Sequence, residues 1–248
     1  NLKSGRKVVN SVENFERKLM SFGFGQEDID RTVIPMCTQG QEPVAAMGND
    51  TPLAVISDKP QIFFNYFRQQ FAQVTNPAID PIREELVMSL TEYIGRVGSG
   101  ILTPDESNCH MVRLPQPILT NAQLDILCNI RYKGFNTKKL PILFEVSGGA
   151  SALRQAIDDL CHEAEKAVDD GVNYIILSDR DTDDEHIAIP SLLAVSAVHH
   201  YLIEVGKRVQ TALIVESGEI REVMHAALLL GYGASALCPY MTYAILDD

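Results

Sequence analysis

Polar side chains follow two of the apolar runs that the sequence predicts to be β-strands. Ser178, Asp179 and Arg180 come after one run, and Glu216 and Ser217 come at the end of the next. Because functional groups gather at the carboxyl ends of parallel strands, these five residues form a candidate strand-end site for a cofactor or phosphate. Turn and capping chemistry explains the same residues without a ligand, and this interpretation is favoured.

A glycine-containing loop is a second candidate ligand site. The sequence VSGGAS at 146–151 joins a predicted strand to a predicted helix, where backbone N–H groups can hold an anion. It lacks both the lysine of the P-loop and the glycine spacing of dinucleotide-binding loops. A tight turn is the favoured interpretation.

The spacing of histidine, cysteine and serine does not support a metal site or a catalytic nucleophile. His199 and His200 are adjacent on a predicted helix, so they point about 100° apart and cannot chelate one ion together. The five cysteines form no C-x-x-C pair, and no Gly-x-Ser-x-Gly elbow occurs. The sequence therefore predicts no metal site and no catalytic residue.

One segment is dense in residues that fix the backbone. Its sequence, QVTNPAIDPIREE at 73–85, has two prolines and a helix start at Asp80-Pro81. A rigid, specified loop is the prediction. The residues singled out in it are Thr75, Asn76, Pro77, Asp80 and Arg83.

Composition limits the classes of partner. The net charge is −12 and no basic run of five residues exists, which argues against nucleic acid. The longest nearly apolar stretch, 187–198, is shorter than the roughly 18 residues that a membrane span needs. Five scattered cysteines indicate a reducing compartment. A first residue that is Asn rather than Met suggests a part of a longer polypeptide.

The second half of the chain predicts mostly parallel β-α units, because apolar strand patterns alternate with helical patterns. The strands are expected side by side. The predicted strands are 140–146, 172–177, 211–216 and 234–238, and the predicted helices are 152–169, 190–205 and 219–230.

The first half is less regular, and no domain boundary or internal repeat is evident. We therefore treat 1–248 as one domain, with an irregular helical and connecting part at 1–139 and a βαβαβαβ part at 140–248. The helices predicted in the first part are 12–22, 61–74, 81–93 and 122–130.

A family resemblance rests on several sequence blocks. QVTNPAIDPIREELVMSL at 73–90 closely resembles a stretch in the central domain of glutamate synthase large chains. Similar blocks follow the family's order and span nearly the whole chain. They are IPMCTQGQEPVAAMGNDTPLAVIS, FNYFRQQFAQ, ILSDR, IPSLLAVSAVHHYLI and VESGEIREVMHAALLLGYGASALCPY.

The resemblance implies an α/β fold that is an incomplete form of the FMN-binding TIM barrel of the same enzymes. It implies a non-catalytic domain that connects the glutamine amidotransferase domain to the FMN-binding domain. In such enzymes ammonia released from glutamine crosses an internal tunnel, adds to 2-oxoglutarate and, after reduction on FMN, yields glutamate. The segment that contains Thr75 and Arg83 would then lie near the path of ammonia.

The resemblance also implies what belongs elsewhere. FMN and an iron-sulfur cluster are expected on the adjoining domain, and no cofactor is expected on this chain, which lacks the amidotransferase's cysteine nucleophile and closely spaced cluster cysteines. The isolated chain is expected to have no activity. The expected location is the cytoplasm or the plastid stroma.

Two regions depart from the family's pattern, and two other functions stay open. Residues 113–139 match loosely, and FEVSGG at 144–149 replaces a strand end richer in aspartate and threonine. The first alternative is a degenerate barrel that retains a flavin or phosphate site. The second is an oligomerisation module, which predicts a large exposed apolar patch.

Overall fold

The computed structural model describes residues 12–43, 52–72, 74, 78–98, 100, 102–132 and 134–247. The α-helices in this part of the chain are α1 Phe15–Ser21, α2 Gln26–Asp28, α3 Ile34–Gln39, α4 Pro81–Val87, α5 Asn121–Cys128, α6 Gly149–Asp169, α7 Ser191–Glu204, α8 Val223–Gly231 and α9 Tyr240–Asp247. The strands are β1 Glu92–Ile94, β2 Val112–Leu114, β3 Thr137–Pro141, β4 Leu143–Glu145, β5 Tyr174–Ser178, β6 His186–Ala188, β7 Ala212–Glu216 and β8 Ala236–Cys238.

The centre of the fold is a four-stranded sheet with the order β3-β5-β7-β8, in which every pair is parallel. All five residues of β5 and all five of β7 are buried. Continuous apolar sequence is typical of parallel strands covered on both faces, which explains why YIILS and ALIVE do not alternate with polar residues. The four strands and three intervening helices predicted for the second half are confirmed in this order.

Different elements cover the two faces of the sheet. Leu177 and Val215 belong to a core that includes residues of α6, α7 and α8. Ile176 and Ile214 belong to a second core, formed with residues of α5, α9, β1 and β2. Long helices on one face and shorter elements on the other are consistent with an incomplete barrel, in which the outer helices are kept and the ring of strands is not closed.

The predicted strand 140–146 is wrong in detail. The parallel ladder runs from Thr137 to Pro141, and β4 then pairs antiparallel with β6, a strand not predicted within the loop 178–189. Pro141 is tolerated because β3 is an edge strand, and the Ile142 N–H still donates to the Ser178 carbonyl at 2.9 Å before the chain turns to its new partner.

The first half differs more from prediction. The predicted helices 12–22 and 122–130 are confirmed as α1 and α5. The helix predicted at 81–93 ends at Val87, and β1 begins at Glu92. The predicted helix 61–74 is wrong, because the described residues of this range form a 3₁₀ turn, Phe63–Phe67, and no α-helix. At three residues per turn, Phe64 and Phe67 lie on one side, where Phe64 stacks on His225 and Phe67 contacts Tyr232.

Helical structure at 26–39 and helix α9 were not predicted. The first consists of α2, a π-helical turn Ile29–Val33, and α3. A proline collides with the carbonyl four residues earlier in a regular α-helix, and the wider turn precedes Pro35.

Candidate functional site

The carboxyl edge of the sheet brings the five strand-end residues together. Ser178 and Glu216 are the last residues of β5 and β7 and are direct partners in the parallel ladder. Asp179, Arg180 and Ser217 continue from these strands. All except Arg180 are buried, so this edge holds charged groups away from water.

Glu216 is the centre of the first cluster. Its Oε1 accepts a hydrogen bond from Arg180 Nε at 2.6 Å, and its Oε2 lies 2.6 Å from both Lys139 Nζ and Ser178 Oγ. Burial acts to raise the pKa of Glu216, but the Arg180 charge and the Lys139 ammonium outweigh it and hold the pKa below its ordinary value. The carboxylate is therefore ionised and shared by two cations.

Asp179 is the centre of the second cluster and has no exposed surface. Its Oδ2 accepts from Ser217 Oγ at 2.5 Å, and its Oδ1 accepts from the Gly218 N–H at 3.0 Å. Burial raises the pKa of Asp179 to about 7, although the Ser217 hydrogen bond acts in the opposite direction. No cation of the described residues forms an ion pair with Asp179, which leaves this carboxylate less stabilised than that of Glu216.

Arg180 links the two clusters to their surroundings. Its guanidinium carbon lies 4.2 Å from the centre of the Tyr240 ring, and its Nη2 donates to Asn121 Oδ1 at 3.2 Å. Stacking on an aromatic face together with fixed hydrogen bonds holds a guanidinium in one orientation. Arg180 is therefore committed to contacts within the protein.

Sequence reasoning did not assign Lys139 or Asn121 to this site. Lys139 was missed because the first strand was predicted to begin at residue 140, which left this lysine outside the sheet. Asn121 is the first residue of α5, whose capping residue is Thr120. Nothing in the sequence indicates that this helix end lies above β5 and β7.

A cleft of about 210 Å³ lies beside the Glu216 cluster. Both of its cations, Lys139 and Arg180, already contact the Glu216 carboxylate. Charges that offset one another at short range leave little field for an external anion. The lining residues are Asn121, Leu124, Asp125, Cys128, Lys139, Arg180 and Glu216.

The glycine loop is a tight turn, as the favoured interpretation predicted. Val146–Gly148 form a 3₁₀ turn, and Gly149 begins α6 with a φ of 54°, which glycine adopts without strain. Ser151 lies inside α6, where its Oγ donates to the Gly148 carbonyl at 2.7 Å.

The second group of candidate residues lies around α4. Asp80 caps this helix, because its Oδ1 accepts from the Arg83 N–H at 3.0 Å, and Pro81 occupies the first turn. The helix start predicted at Asp80-Pro81 is confirmed. Thr75, Asn76 and Pro77 lie outside the described residues.

A group of exposed apolar side chains lies on and around α4 and is called here the α4 surface. Ile82 and Leu86 expose 85% and 80% of their area. Monomeric proteins rarely expose large contiguous apolar areas, and such areas mark contacts with other proteins or domains. The exposed apolar residues of this segment are Phe71, Val74, Ile82, Leu86, Val87, Met88, Leu90 and Tyr93.

The described part of the chain holds neither a cluster of metal ligands nor a membrane-spanning helix. Its residues include no group of three or more histidine, cysteine, aspartate or glutamate side chains placed to hold a metal ion. No helix formed by these residues is long and apolar enough to cross a membrane.

Comparison with known proteins gives a consistent family. Residues 17–248 match the family described as "Glutamate synthase central domain". The chain is 46% identical over 224 residues to the Glutamate synthase [NADPH] large chain of Bacillus subtilis, which covers 90% of this chain and 14% of that protein.

Two further relatives are named for NADH and for ferredoxin. Glutamate synthase [NADH] of Schizosaccharomyces pombe is 43% identical over 233 residues, 93% of this chain and 11% of that protein. The chloroplastic ferredoxin-dependent glutamate synthase of Spinacia oleracea is 43% identical over 228 residues, 91% of this chain and 14% of that protein. The chain thus spans a small part of each relative, and it belongs to the glutamate synthase central domain family.

Proposed function

We propose that this chain is a non-catalytic scaffold that connects the glutamine amidotransferase and FMN-binding domains of a glutamate synthase polypeptide. In this role it helps to form the ammonia tunnel for glutamate synthesis from 2-oxoglutarate. The observation that carries the proposal is the α4 surface, where Ile82 and Leu86 are almost fully exposed. A neighbouring domain that covers these side chains removes their area from water.

The energy available from such a contact is substantial. Burial of apolar area contributes roughly 25 cal/mol per Å², so a large aliphatic side chain contributes about 1.5 to 3 kcal/mol when it is fully covered. The described part of the chain buries no residue of α4, and Asp80 caps the start of this helix. A defined helix with an exposed apolar face is suited to docking as a rigid unit.

The relatives support neighbouring domains as the partner. Matched relatives extend far beyond this chain, which covers 11% to 14% of the three described above. All three are named as glutamate synthases. The amidotransferase and FMN-binding domains that the resemblance implies are the covering partners in this proposal.

The strand-end residues favour the scaffold over the flavin or phosphate alternative. A site for an anionic ligand needs donors that are free to turn toward it. Here Arg180 and Lys139 contact Glu216, and the Gly218 N–H contacts Asp179. In the proposal this chain holds no cofactor, and FMN and the iron-sulfur cluster belong to the adjoining domain.

The same reasoning extends to the location. A relative named as chloroplastic shares 43% identity with the chain, which supports a plastid as one candidate location. We propose the cytoplasm or the plastid stroma as the location of this protein.

The test compares two nitrogen sources in a full-length glutamate synthase that carries this chain. We expect the double variant Ile82→Glu, Leu86→Glu to lower glutamine-dependent glutamate formation at least tenfold, because charges disrupt the contact that aligns the tunnel. Formation from added ammonium should stay within twofold. The matched control is Ile203→Glu, which alters a half-exposed residue of α7. Unchanged glutamine-dependent synthesis in the double variant would contradict the proposal.

The oligomerisation alternative has its own outcome in sedimentation measurements. If a second copy covered the α4 surface, the full-length enzyme would lose subunit association in the double variant while its use of glutamine stayed intact. The scaffold proposal predicts loss of glutamine use with the assembly unchanged.

A further inference from the structure

The amino-terminal helix reaches the carboxyl edge of the sheet. Lys18 Nζ donates to the carbonyl of Arg180, and Arg17 forms an ion pair with Asp184 in the loop after β5. Burial lowers the pKa of Lys18, and the nearby Arg180 charge acts in the same direction. These contacts join positions more than 160 residues apart in the sequence.

Phe22, at the end of α1, is pressed onto the turn that follows β7. Its ring contacts the Tyr240 ring edge to face, with 6.3 Å between centroids and 86° between planes. A Cβ atom added to Gly218 would lie 2.5 Å from Phe22 Cε2, closer than real Cβ contacts allow. Only glycine fits at position 218, because the Phe22 ring occupies the space that a Cβ atom would need.

Arg221, in the turn between β7 and α8, contacts the same segment. Its guanidinium is buried, with Nη2 donating to the Phe22 carbonyl and Nη1 to the Gly23 carbonyl, both at 3.0 Å. Its guanidinium carbon lies 4.3 Å from the Phe24 ring centre, and Asp28 pairs with it at 3.3 Å. The last carbonyls of an α-helix have no N–H partner within the helix, and a basic side chain can donate hydrogen bonds to them.

We propose that residues 15–25 form a latched strap over the carboxyl edge of the sheet, with Phe22 as the plug and Arg221 as the latch. A barrel binds its ligand at this edge, but here the protein's own chain fills the space above Ser217 and Gly218. The strap acts as an intramolecular occupant that excludes water and ligands from the Asp179 cluster. This inference is independent of the scaffold function.

A double-mutant cycle in the full chain tests the plug. Gly218→Ala places a methyl group against the Phe22 ring, so we expect hydrogen exchange of the 15–25 amides to rise at least tenfold. In a Phe22→Ala background the ring is absent, and the same substitution should change exchange less than twofold. Gly231→Ala is the matched control, because a Cβ there meets no atom within 4 Å.

Two results would overturn the plug. One is an equal effect of Gly218→Ala in both backgrounds. The other is an exchange increase in β5 and β7 as large as that in residues 15–25, which would make Phe22 an ordinary core residue.

The latch is tested separately with Arg221→Lys. A single ammonium cannot reproduce the two parallel donations to Phe22 and Gly23, so we expect exchange in 15–25 to rise at least fivefold while β5 and β7 stay protected. Arg208→Lys is the control, because Arg208 also donates to two carbonyls, those of Thr211 and Gly233, away from the strap. Unchanged strap protection in Arg221→Lys, or equal loosening by Arg208→Lys, would refute the latch.

Discussion

Aliphatic side chains of the same type behave oppositely in two regions of this molecule. Leu177 in β5 has no exposed area, whereas Leu86 in α4 exposes 80% of its area. The sheet also satisfies its buried charges internally, through the clusters around Glu216 and Asp179. The difference indicates that the sheet is stabilised by the chain's own contacts, whereas the α4 surface receives no such cover from the described residues, which is what the scaffold proposal expects.

The largest expected effect separates the two leucines. Leu177→Ala removes a fully buried side chain and should lower the free energy of unfolding of the chain by about 3 kcal/mol, through lost burial and a cavity. Urea denaturation measures it. Leu86→Ala is the matched control and should leave the midpoint of the transition unchanged. A similar loss in both variants would remove the distinction between the two regions.

The second effect concerns the buried carboxylate between two cations. Glu216→Gln leaves Arg180 and Lys139 without their shared anion and should lower the free energy of unfolding by about 2 kcal/mol, because both cations still reach water. The control is Glu163→Gln, which removes the exposed partner of Lys138. If Glu163→Gln cost as much as Glu216→Gln, burial would not be the reason for the effect.

The third effect is a pH dependence that arises at Asp179. Burial raises its pKa from the ordinary 3.8 to about 7, so between these values the folded chain holds a proton that the unfolded chain releases. Stability therefore falls as pH rises toward 7, with a limit of about 1.4 kcal/mol per unit. Asp179→Asn should flatten the curve between pH 5.5 and 6.5.

The charged and polar groups that face Asp179 define the interpretation of that curve. Ser217, the Gly218 N–H and Glu219 act on the carboxylate from the turn after β7, and Tyr240 acts from α9. Lys18 acts from α1. An unchanged slope in Asp179→Asn would assign the pH dependence to another group.

The smallest effect concerns the start of α4. Asp80→Ala removes the side chain that accepts from the Arg83 N–H, which costs about 1 kcal/mol of local helix stability. We expect hydrogen exchange of the 81–88 amides to rise about fivefold, since 1.4 kcal/mol corresponds to tenfold. Asp80→Asn should retain most of the protection. Equal exchange in Asp80→Ala and the unaltered chain would show that the cap does not order α4.

The sequence was most informative where one physical effect dominates. In the second half, apolar runs mark the strands, because buried parallel strands admit few polar residues. Glycines mark the ends of the helices between them. The ladder beyond Pro141 was missed because β4 and β6 pair antiparallel over three residues each. Strands this short carry little periodicity.

The candidate site was predictable only in part. Ser178 and Glu216 were identified because strand ends in a parallel sheet meet at one edge. Asn121 and the contact of Phe22 with Gly218 depend on how distant segments pack, which local patterns do not encode. The exposure of α4 is another such case, because an apolar helical pattern predicts burial, whereas the described part of the chain leaves this helix uncovered.

The most direct test of the scaffold account is the reactivity of a thiol placed on the α4 surface. Leu86→Cys, in a background with Cys37, Cys109 and Cys128 replaced by serine, is labelled with a maleimide in the isolated chain and in the full-length glutamate synthase. The account predicts at least a tenfold slower reaction in the full-length enzyme, because neighbouring domains cover the position. Equal labelling rates in the two forms would contradict it.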